Sequence, residues 1–464
     1  MFISNVRLGL ATNSSSTHSI LIAPTIDSFR ERKYDEFGWE DFLLTSKEGK
    51  MRYMMATLNS NLCGLVPEYY AHHVASGLMG QDIGKDAYVD HQSLIDLPVG
   101  YNSWDRNKVN EEFFRELTDY IVNSDVAIAG GNDNEDKMDY GGERDGVASC
   151  LQKDHRGQLV ARKDGEHWVL FNRKTGAKVR FSFTSKEPYV KSSRPELCDL
   201  KVTDYCPFSC PACYMDSTIS GTHSLVWKEC LQVLSRMEVF EVAIGGGEAT
   251  MHPEFDKILS EAKLLGIVPN FTTKTLRWTK DSVIEKSVLE NAGGFAVSVQ
   301  SSYDPVIDEV CKWRDRNNHW GEVSIQAVLG VLDTKDILQL IDNCYDKDLR
   351  RITLLGFKYV GRGKGKEPKP VDILPVLYKA RGRWVNLGLD TLAVQQYKDI
   401  LDAEKISEAL RTTAEGRFSM YIDAVDMCIS PSSYSEVKVP FTANNYNREP
   451  NYISNVIEEN YPQW

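Results

Sequence analysis

The sequence predicts an α/β protein: a partial, TIM-like (β/α)6 barrel core, preceded by an α+β domain and followed by a short C-terminal extension. Three observations predict it. From Glu196 onward, six strand-like runs alternate with amphipathic helical runs. Ahead of them, three segments of alternating polarity read as a β-meander. Between the two, residues 186–195 (KEPYVKSSRP) are polar and hold two prolines, which marks the boundary. The expected divisions are 1–190, 196–390 and 391–464.

The first segment opens with an expected strand over 2–11, a Ser/Thr run from Thr12 to Ser19 that reads as a solvated loop, and an apolar run, Ile20–Ala23. The spacing of Phe113, Phe114, Leu117, Tyr120 and Ile121 predicts a helix over 110–123. The stretch from Gly130 to Gly146 is too polar to pack and lacks the spacing of a calcium loop. The meander follows as Gln158–Arg162, His167–Asn172 and Lys178–Phe183, with turns at Asp164-Gly165 and Thr175-Gly176. His72 and His73 lie in this segment without carboxylates at matching spacing, so no metal site is assigned to them.

The six core strands are expected at 197–203, 239–244, 268–273, 295–301, 322–329 and 351–357. Trp227, Cys230, Leu231, Leu234 and Met237 mark the first helix; the second is expected to begin at Pro253, a favoured first-turn residue. The third should end at Gly293-Gly294, and the fifth should start near Asp333-Thr334, which are good N-cap residues. Strands alternating with helices make a parallel sheet, and six repeats leave a barrel open. In the extension, 420–423 and 425–429 read as strands.

Composition excludes several classes. The 464 residues are 42% hydrophobic and 26% charged, ordinary for a soluble globular protein. No apolar run reaches membrane-spanning length, and the N-terminus lacks a signal-peptide core, so a cytoplasmic location is expected and no membrane partner. A net charge of -12 weighs against nucleic acid as a partner. Ten cysteines in so long a chain make no disulfide framework.

Three of those cysteines carry the chemistry. Cys206, Cys210 and Cys213 are spaced C-x3-C-x2-C, with Pro207 and Pro211 bending the chain between them. Thiolates are soft ligands suited to iron–sulfur clusters, zinc or copper(I). Closed structural sites and electron-carrying cubanes use four protein ligands, so three point to a site with one open position. Two other readings stay open on the residues alone: zinc with His223 or Cys230 as a fourth ligand, and three unpaired core cysteines. About thirty-five residues on, Gly245-Gly246-Gly247-Glu248 follows the second strand, room for one helix and one strand of a βα repeat. Glycines let backbone come close to a ligand, and Glu248 can pair with an ammonium. The two motifs follow consecutive strands and should therefore meet at one rim.

The stretch from Asp204 to Tyr214 (DYCPFSCPACY) resembles the cluster loop of the radical S-adenosylmethionine (radical SAM) superfamily, and Gly245–Glu248 resembles its Gly-Gly-Glu motif. The resemblance implies a [4Fe-4S] cluster on Cys206, Cys210 and Cys213, with S-adenosylmethionine (SAM) chelated on the fourth iron. It implies an electron donor, a flavodoxin- or ferredoxin-like reductant, reductive cleavage of SAM, and hydrogen abstraction by a 5'-deoxyadenosyl radical. Gly245, Gly246, Gly247 and Glu248 would hold the methionine end; Ser298 and Gln300, on strand four with Ser301, would reach the ribose, and Gln326 on strand five is a weaker candidate. Ala212 stands where the family usually has an aromatic residue near the adenine; the aromatic here is Tyr214, one residue past the third cysteine. Residues 356–363 (GFKYVGRG) resemble the adenine-side turn; Arg362, Lys364 and Lys366 sit there in what reads as an exposed, flexible loop. His252 and His223 read as structural, and with only Cys428 in the extension no auxiliary cluster is expected.

The function expected is modification of a peptide or protein, with the N-terminal domain recognising the substrate by strand addition. The alternatives are modification of a nucleoside or nucleic acid, with the loop near Arg362 gripping phosphate, and a non-enzymatic iron–sulfur or zinc protein.

Overall fold

The computed structural model describes residues 2–7, 19–21, 36–37, 42–44, 46–62, 88–89, 97–100, 109–123, 127–130, 159–187, 189–317, 322–406, 411, 415–442 and 452–464. The Ser/Thr run before Ser19, the acidic stretch after Gly130, His72 and His73 lie outside the described residues. The chain divides into two compact units, one of Met1–Ser4 and Ala11–Pro188, the other of Asn5–Leu10 and Tyr189–Trp464.

The strands in chain order begin with β1 (Phe2–Arg7), β2 (Ser19–Leu21), β3 (Glu36–Phe37), β4 (Phe42–Leu44), β5 (Tyr88–Val89), β6 (Val99–Gly100) and β7 (Ala127–Gly130). The meander is β8 (Leu159–Asp164), β9 (His167–Asn172) and β10 (Lys178–Ser182), paired antiparallel in sequence order. Gly165 takes a positive φ of 61° in its first turn, a conformation glycine adopts without strain. Two helices lie among the described residues of this unit: α1 (Lys47–Leu62), which the sequence pattern did not reveal, and α2 (Glu111–Asn123). Asn110 caps α2, its side chain accepting the Phe113 N–H at 3.0 Å. The helix lays Phe113 edge-on to Trp168 at 5.1 Å and among Phe181 and Phe183, which forms the small core of the sheet.

In the second unit β11 (Leu197–Thr203), β12 (Glu241–Gly246), β13 (Val268–Thr273), β14 (Gly294–Ser298), β15 (Glu322–Val328) and β16 (Arg351–Leu355) lie side by side and parallel. Between them run α3 (Trp227–Arg236), α4 (Phe255–Leu264), α5 (Ser282–Asn291), α6 (Val306–Asn317) and α7 (Thr334–Asp346). Asp333 and Asp336 form a reciprocal capping box at the start of α7. The second helix starts at Phe255 rather than at Pro253, because Ala249–Met251 first makes a 3-10 turn.

The parallel run is longer than six strands. β17 (Asn386–Leu389), which follows α8 (Ile373–Gly382), extends it beyond β16. From the C-terminal segment, β18 (Ser419–Asp423) pairs parallel with the other edge of β11, and β19 (Cys428–Ser430) and β20 (Val439–Pro440) continue it antiparallel. Among the described strands the two ends of this sheet do not pair, so the barrel is open. The residues after 391 thus supply part of the sheet, a role that short runs separated by loops could not announce.

Alternation along the strands sorts the two faces. Cys198, Leu200 and Val202 of β11, Val242 and Ile244 of β12 and Ile352 and Leu354 of β16 join the helices in one apolar core. The positions between them form the face turned away from the helices. They are small or polar: Asp199, Lys201, Ala243, Gly245, Ser298, Gln326 and Thr353. A closed barrel is filled there by branched aliphatic side chains. This one has a small-residue, polar interior face instead.

Candidate active site at the strand ends

The cysteine loop leaves the carboxyl end of β11 and the glycine run leaves the carboxyl end of β12, its neighbour. Register places Lys201 beside Gly245 and Thr203 beside Gly246. The loop backbone is stitched to itself: the Cys206 N–H donates to Thr218 O at 2.9 Å and the Cys213 N–H to Cys210 O at 3.2 Å. Cys206, Cys210 and Cys213 are free thiols of intermediate exposure, whereas Cys198, Cys230, Cys344 and Cys428 are buried. The core-cysteine reading therefore does not fit the loop. Cys230 faces the apolar core from α3. His223 is engaged with Thr203 Oγ1 through Nδ1 at 2.8 Å and meets His252 edge-on at 5.2 Å.

Two of the glycines have a packing task that their sequence does not announce. A Cβ on Gly246, whose φ is 122°, would fall 2.2 Å from the Thr203 carbonyl oxygen. A Cβ on Gly247 would fall 2.2 Å from the Tyr205 carbonyl oxygen. The Gly247 and Glu248 amides donate to those same carbonyls at 2.6 and 2.8 Å. Gly246 and Gly247 thus let the second loop press against the root of the cysteine loop. Gly245 is the one with open space where its Cβ would be.

Glu248 is 2% exposed. Its Oε1 accepts the Thr250 and Thr273 hydroxyls at 2.6 and 2.7 Å, and its Oε2 accepts the Lys274 amide at 2.9 Å. Burial pushes its pKa up against these hydrogen bonds, which hold it down. It also lies within electrostatic reach of Cys206, whose thiol is pushed up first by burial and further by Glu248 and by the other two loop thiols.

Residues 200–364 match the family model described as the Radical SAM superfamily. That stretch, about a third of the chain, is similar to the radical SAM superfamily. The PqqA peptide cyclase of Bradyrhizobium diazoefficiens is 24% identical over 179 residues, which cover 35% of this chain and 46% of that protein, so the match spans about half the relative's length. Among solved structures, Streptococcus suis SuiB bound to its precursor peptide SuiA superposes with a TM-score of 0.49 at 14% identity, over 61% of this chain and 84% of that one. Native anSMEcpe with bound AdoMet and a Cp18Cys peptide gives a TM-score of 0.37 at 13% identity, over 52% and 75% of the two chains.

Radical SAM proteins use a [4Fe-4S] cluster and SAM, and the residues present suit both. Three unpaired, half-buried thiols are the donor set such a cluster takes. As they stand, no three ligating side chains among the described residues converge on one point. Three thiolates alone repel one another; the irons supply the charge that would gather them. Gly245 offers bare backbone at the end of the adjacent strand.

The other residues expected at the radical SAM site fall out as follows. Ser298 ends β14 on the interior face and donates to Gln326 Oε1 at 3.3 Å. Gln300 and Ser301 lie past the strand and are exposed; the Gln300 amide donates to Asp304. The ring of Tyr214 stands 4.0 Å from the Lys358 ammonium. The loop carrying Arg362 is not a free, flexible one. Arg362 and Lys366 reach back to the cysteine-loop backbone, while Lys364 is exposed.

Sequence reasoning missed a polar cluster in the interior. Asp199 on β11 is half-buried on the interior face, and no described residue donates to its carboxylate. Burial raises its pKa to about 6, with Asp390 adding and Lys358 opposing. Glu415 is likewise raised to about 6 by burial and by Asp199, and its Oε1 accepts the Tyr434 hydroxyl at 3.1 Å. Lys358 is held between the rings of Tyr214 and Tyr434, 4.0 and 4.8 Å from their centres. The signal was present in β11 itself: polar residues at 199, 201 and 203 alternate with apolar ones, the mark of a strand with one polar face.

Proposed function

We propose that the chain is a radical SAM enzyme that acts on a peptide or protein. One observation carries the radical SAM reading: the loop with the free thiols of Cys206, Cys210 and Cys213 leaves the end of β11, and the open backbone of Gly245 lies at the end of the adjacent strand β12. When bound, the cluster and SAM supply a one-electron cleavage that generates a carbon radical able to take a hydrogen atom from substrate. The chain's own residues do the rest. The three thiolates would hold the cluster and, being three, would leave one position for SAM. Gly246 and Gly247 dock the two loops so that their contents share one rim. Gly245 presents backbone to the methionine end. Glu248, buried and hydrogen-bonded, braces that run from behind against Thr273 and Lys274. The small polar residues of the sheet interior leave the volume in which Ser298 and Tyr214 line the nucleoside side.

The peptide reading rests on the likeness to a peptide cyclase and on a first unit that carries an antiparallel meander, a suitable template for strand addition. The phosphate-gripping alternative is weakened, because Arg362 and Lys366 hydrogen-bond to the cysteine-loop backbone.

Anaerobic reconstitution with iron and sulfide tests the first part. The protein should bind a cluster and form 5'-deoxyadenosine from SAM under dithionite, and alanine at any one of the three cysteines should end both. Zinc in place of iron, or full activity in a single-cysteine variant, would sink the reading. The substrate class is tested by adding a randomised peptide library or bulk RNA to the reconstituted protein. Faster 5'-deoxyadenosine formation with peptide is expected; acceleration by RNA alone overturns the peptide assignment.

A further inference from the structure

The loop after β16 closes on the cysteine loop through one side chain. The Arg362 amide donates to Cys213 O at 2.9 Å. Its Nε donates to Cys210 O at 3.0 Å, and its Nη1 to Ser217 O at 3.0 Å and to the Asp216 carboxylate at 3.1 Å. Gly361 makes the approach possible: its φ is 56°, and a Cβ there would fall 2.4 Å from the Tyr214 carbonyl oxygen.

Two polar atoms in this contact are left over. Arg362 Nη2 is buried without a hydrogen-bond partner, and so is the hydroxyl of Ser217, a residue only 4% exposed. A guanidinium is a planar fork of five N–H donors, and the bonds named use three of them. Nη2 shares the edge of the fork with Nε, and Nε is bound at Cys210. One of the two unused donors therefore lies on the edge that faces Cys210, the other on the edge that Nη1 presents to Ser217 and Asp216. A buried donor without an acceptor is costly, and native sites rarely keep one unless a ligand completes it.

We propose that Arg362 is a positioning residue for the cluster: it fixes the loop from Cys210 to Ser217, and its free Nη2 donors would serve the anionic iron–sulfur group that the thiolates would hold. A positive charge and donors beside the cluster stabilise the form carrying one more electron, so Arg362 raises its reduction potential. This rests on the cluster reading above.

The test is a redox titration of the reconstituted protein, followed by the electron paramagnetic resonance signal of the reduced cluster, with dithionite as reductant. Arg362→Met should lower the midpoint potential by about 59 mV, a tenfold change in a one-electron equilibrium. Arg362→Lys, which keeps the charge, should recover part of the shift. Lys366→Ala is the structural control. Lys366 also ties down the loop, at Pro211 O, 2.5 Å away, but it is exposed and its charge is screened by water. Its removal should leave the potential in place. If Arg362→Met loads no iron, Arg362→Gln, which keeps N–H donors without charge, replaces it and should also titrate lower than wild type. Wild-type potential and line shape in the loaded Arg362 variants, or an equal shift in Lys366→Ala, overturns the proposal. Failure of the wild-type protein to bind a cluster would instead sink the functional reading on which it rests.

Discussion

Lys201 and Asp423 stand opposite each other on the neighbouring parallel strands β11 and β18, with Nζ 2.8 Å from the carboxylate and side chains 6% and 3% exposed. Lys201 also reaches Asp204 at 2.7 Å, two residues before the first loop cysteine. Burial alone would pull the Lys201 pKa down; the Asp204 and Asp423 carboxylates more than reverse this and hold it up. The ammonium therefore joins the C-terminal strand to the root of the cysteine loop. Removing one partner strands the other charge in the interior, which costs about 3–5 kcal/mol. Lys201→Met should lower the stability of the second unit by that order in urea unfolding of the cluster-free protein. Lys201→Met combined with Asp423→Leu should recover much of the loss. Equal stability of the single variant and wild type would show the pair to be idle.

The glycine run offers a sharper contrast. Gly247→Ala places a methyl group 2.2 Å from the Tyr205 carbonyl oxygen, so the loops must part. A loss of roughly 2–4 kcal/mol and poor iron loading are expected, comparable to other overpacked sites. Gly245→Ala meets nothing and should unfold like wild type with its iron content intact. Its defect should appear in SAM binding, measured by equilibrium dialysis. Loss of stability in Gly245→Ala would contradict the open space at that residue.

Thiol chemistry separates the cysteines by environment. Burial pushes the Cys198 and Cys230 thiols up, and raises Cys344 to about 12. Brief alkylation of the folded, cluster-free protein should label Cys206, Cys210 and Cys213 and spare those three, as read by peptide mass spectrometry. Reconstitution with iron and sulfide should then protect the loop. Labelling of Cys230 together with the loop would reopen the zinc reading.

Asp199 gives a pH dependence with a definite sign. Its carboxyl titrates near 6 in the folded chain, against about 3.9 in an unfolded one. An acid whose pKa is raised on folding destabilises the native state above the folded value, and the penalty disappears below the unfolded value. Asp199→Asn should therefore gain stability over wild type at pH 8, on the order of 1–2 kcal/mol. The gain should shrink as pH falls from 6 to 4. Urea titrations at pH 5 and pH 8 decide it; a gain independent of pH would mean that Asp199 is paired in the native state.

Much of the core was legible because local pattern carries it. The limits of β11 and β13 follow from runs of strand-forming residues, and Asp333 announces α7 by a capping pattern contained within four residues. The cysteines and the glycine run were legible for the same reason, being contiguous and placed at the ends of consecutive strands. The helix α1 was not, because its apolar residues do not gather on one face at helical spacing. The strands β17 and β18 are short, and what makes them part of the barrel is pairing across long stretches of chain.

By itself the sequence determined the alternation of strands and helices, the motifs at the strand ends and the chemistry their side chains allow, since each depends on neighbours along the chain. Only the tertiary structure decided that Gly246 and Gly247 seat against the cysteine loop, that Arg362 closes on Cys210 from about 150 residues away, and that Asp199, Lys358 and Glu415 share one interior. The physical reason is that close approach and burial are properties of the space between elements. A residue's type says what it can bond to, but which partner it meets is settled only when the sheet has curled and the loops at its rim have packed.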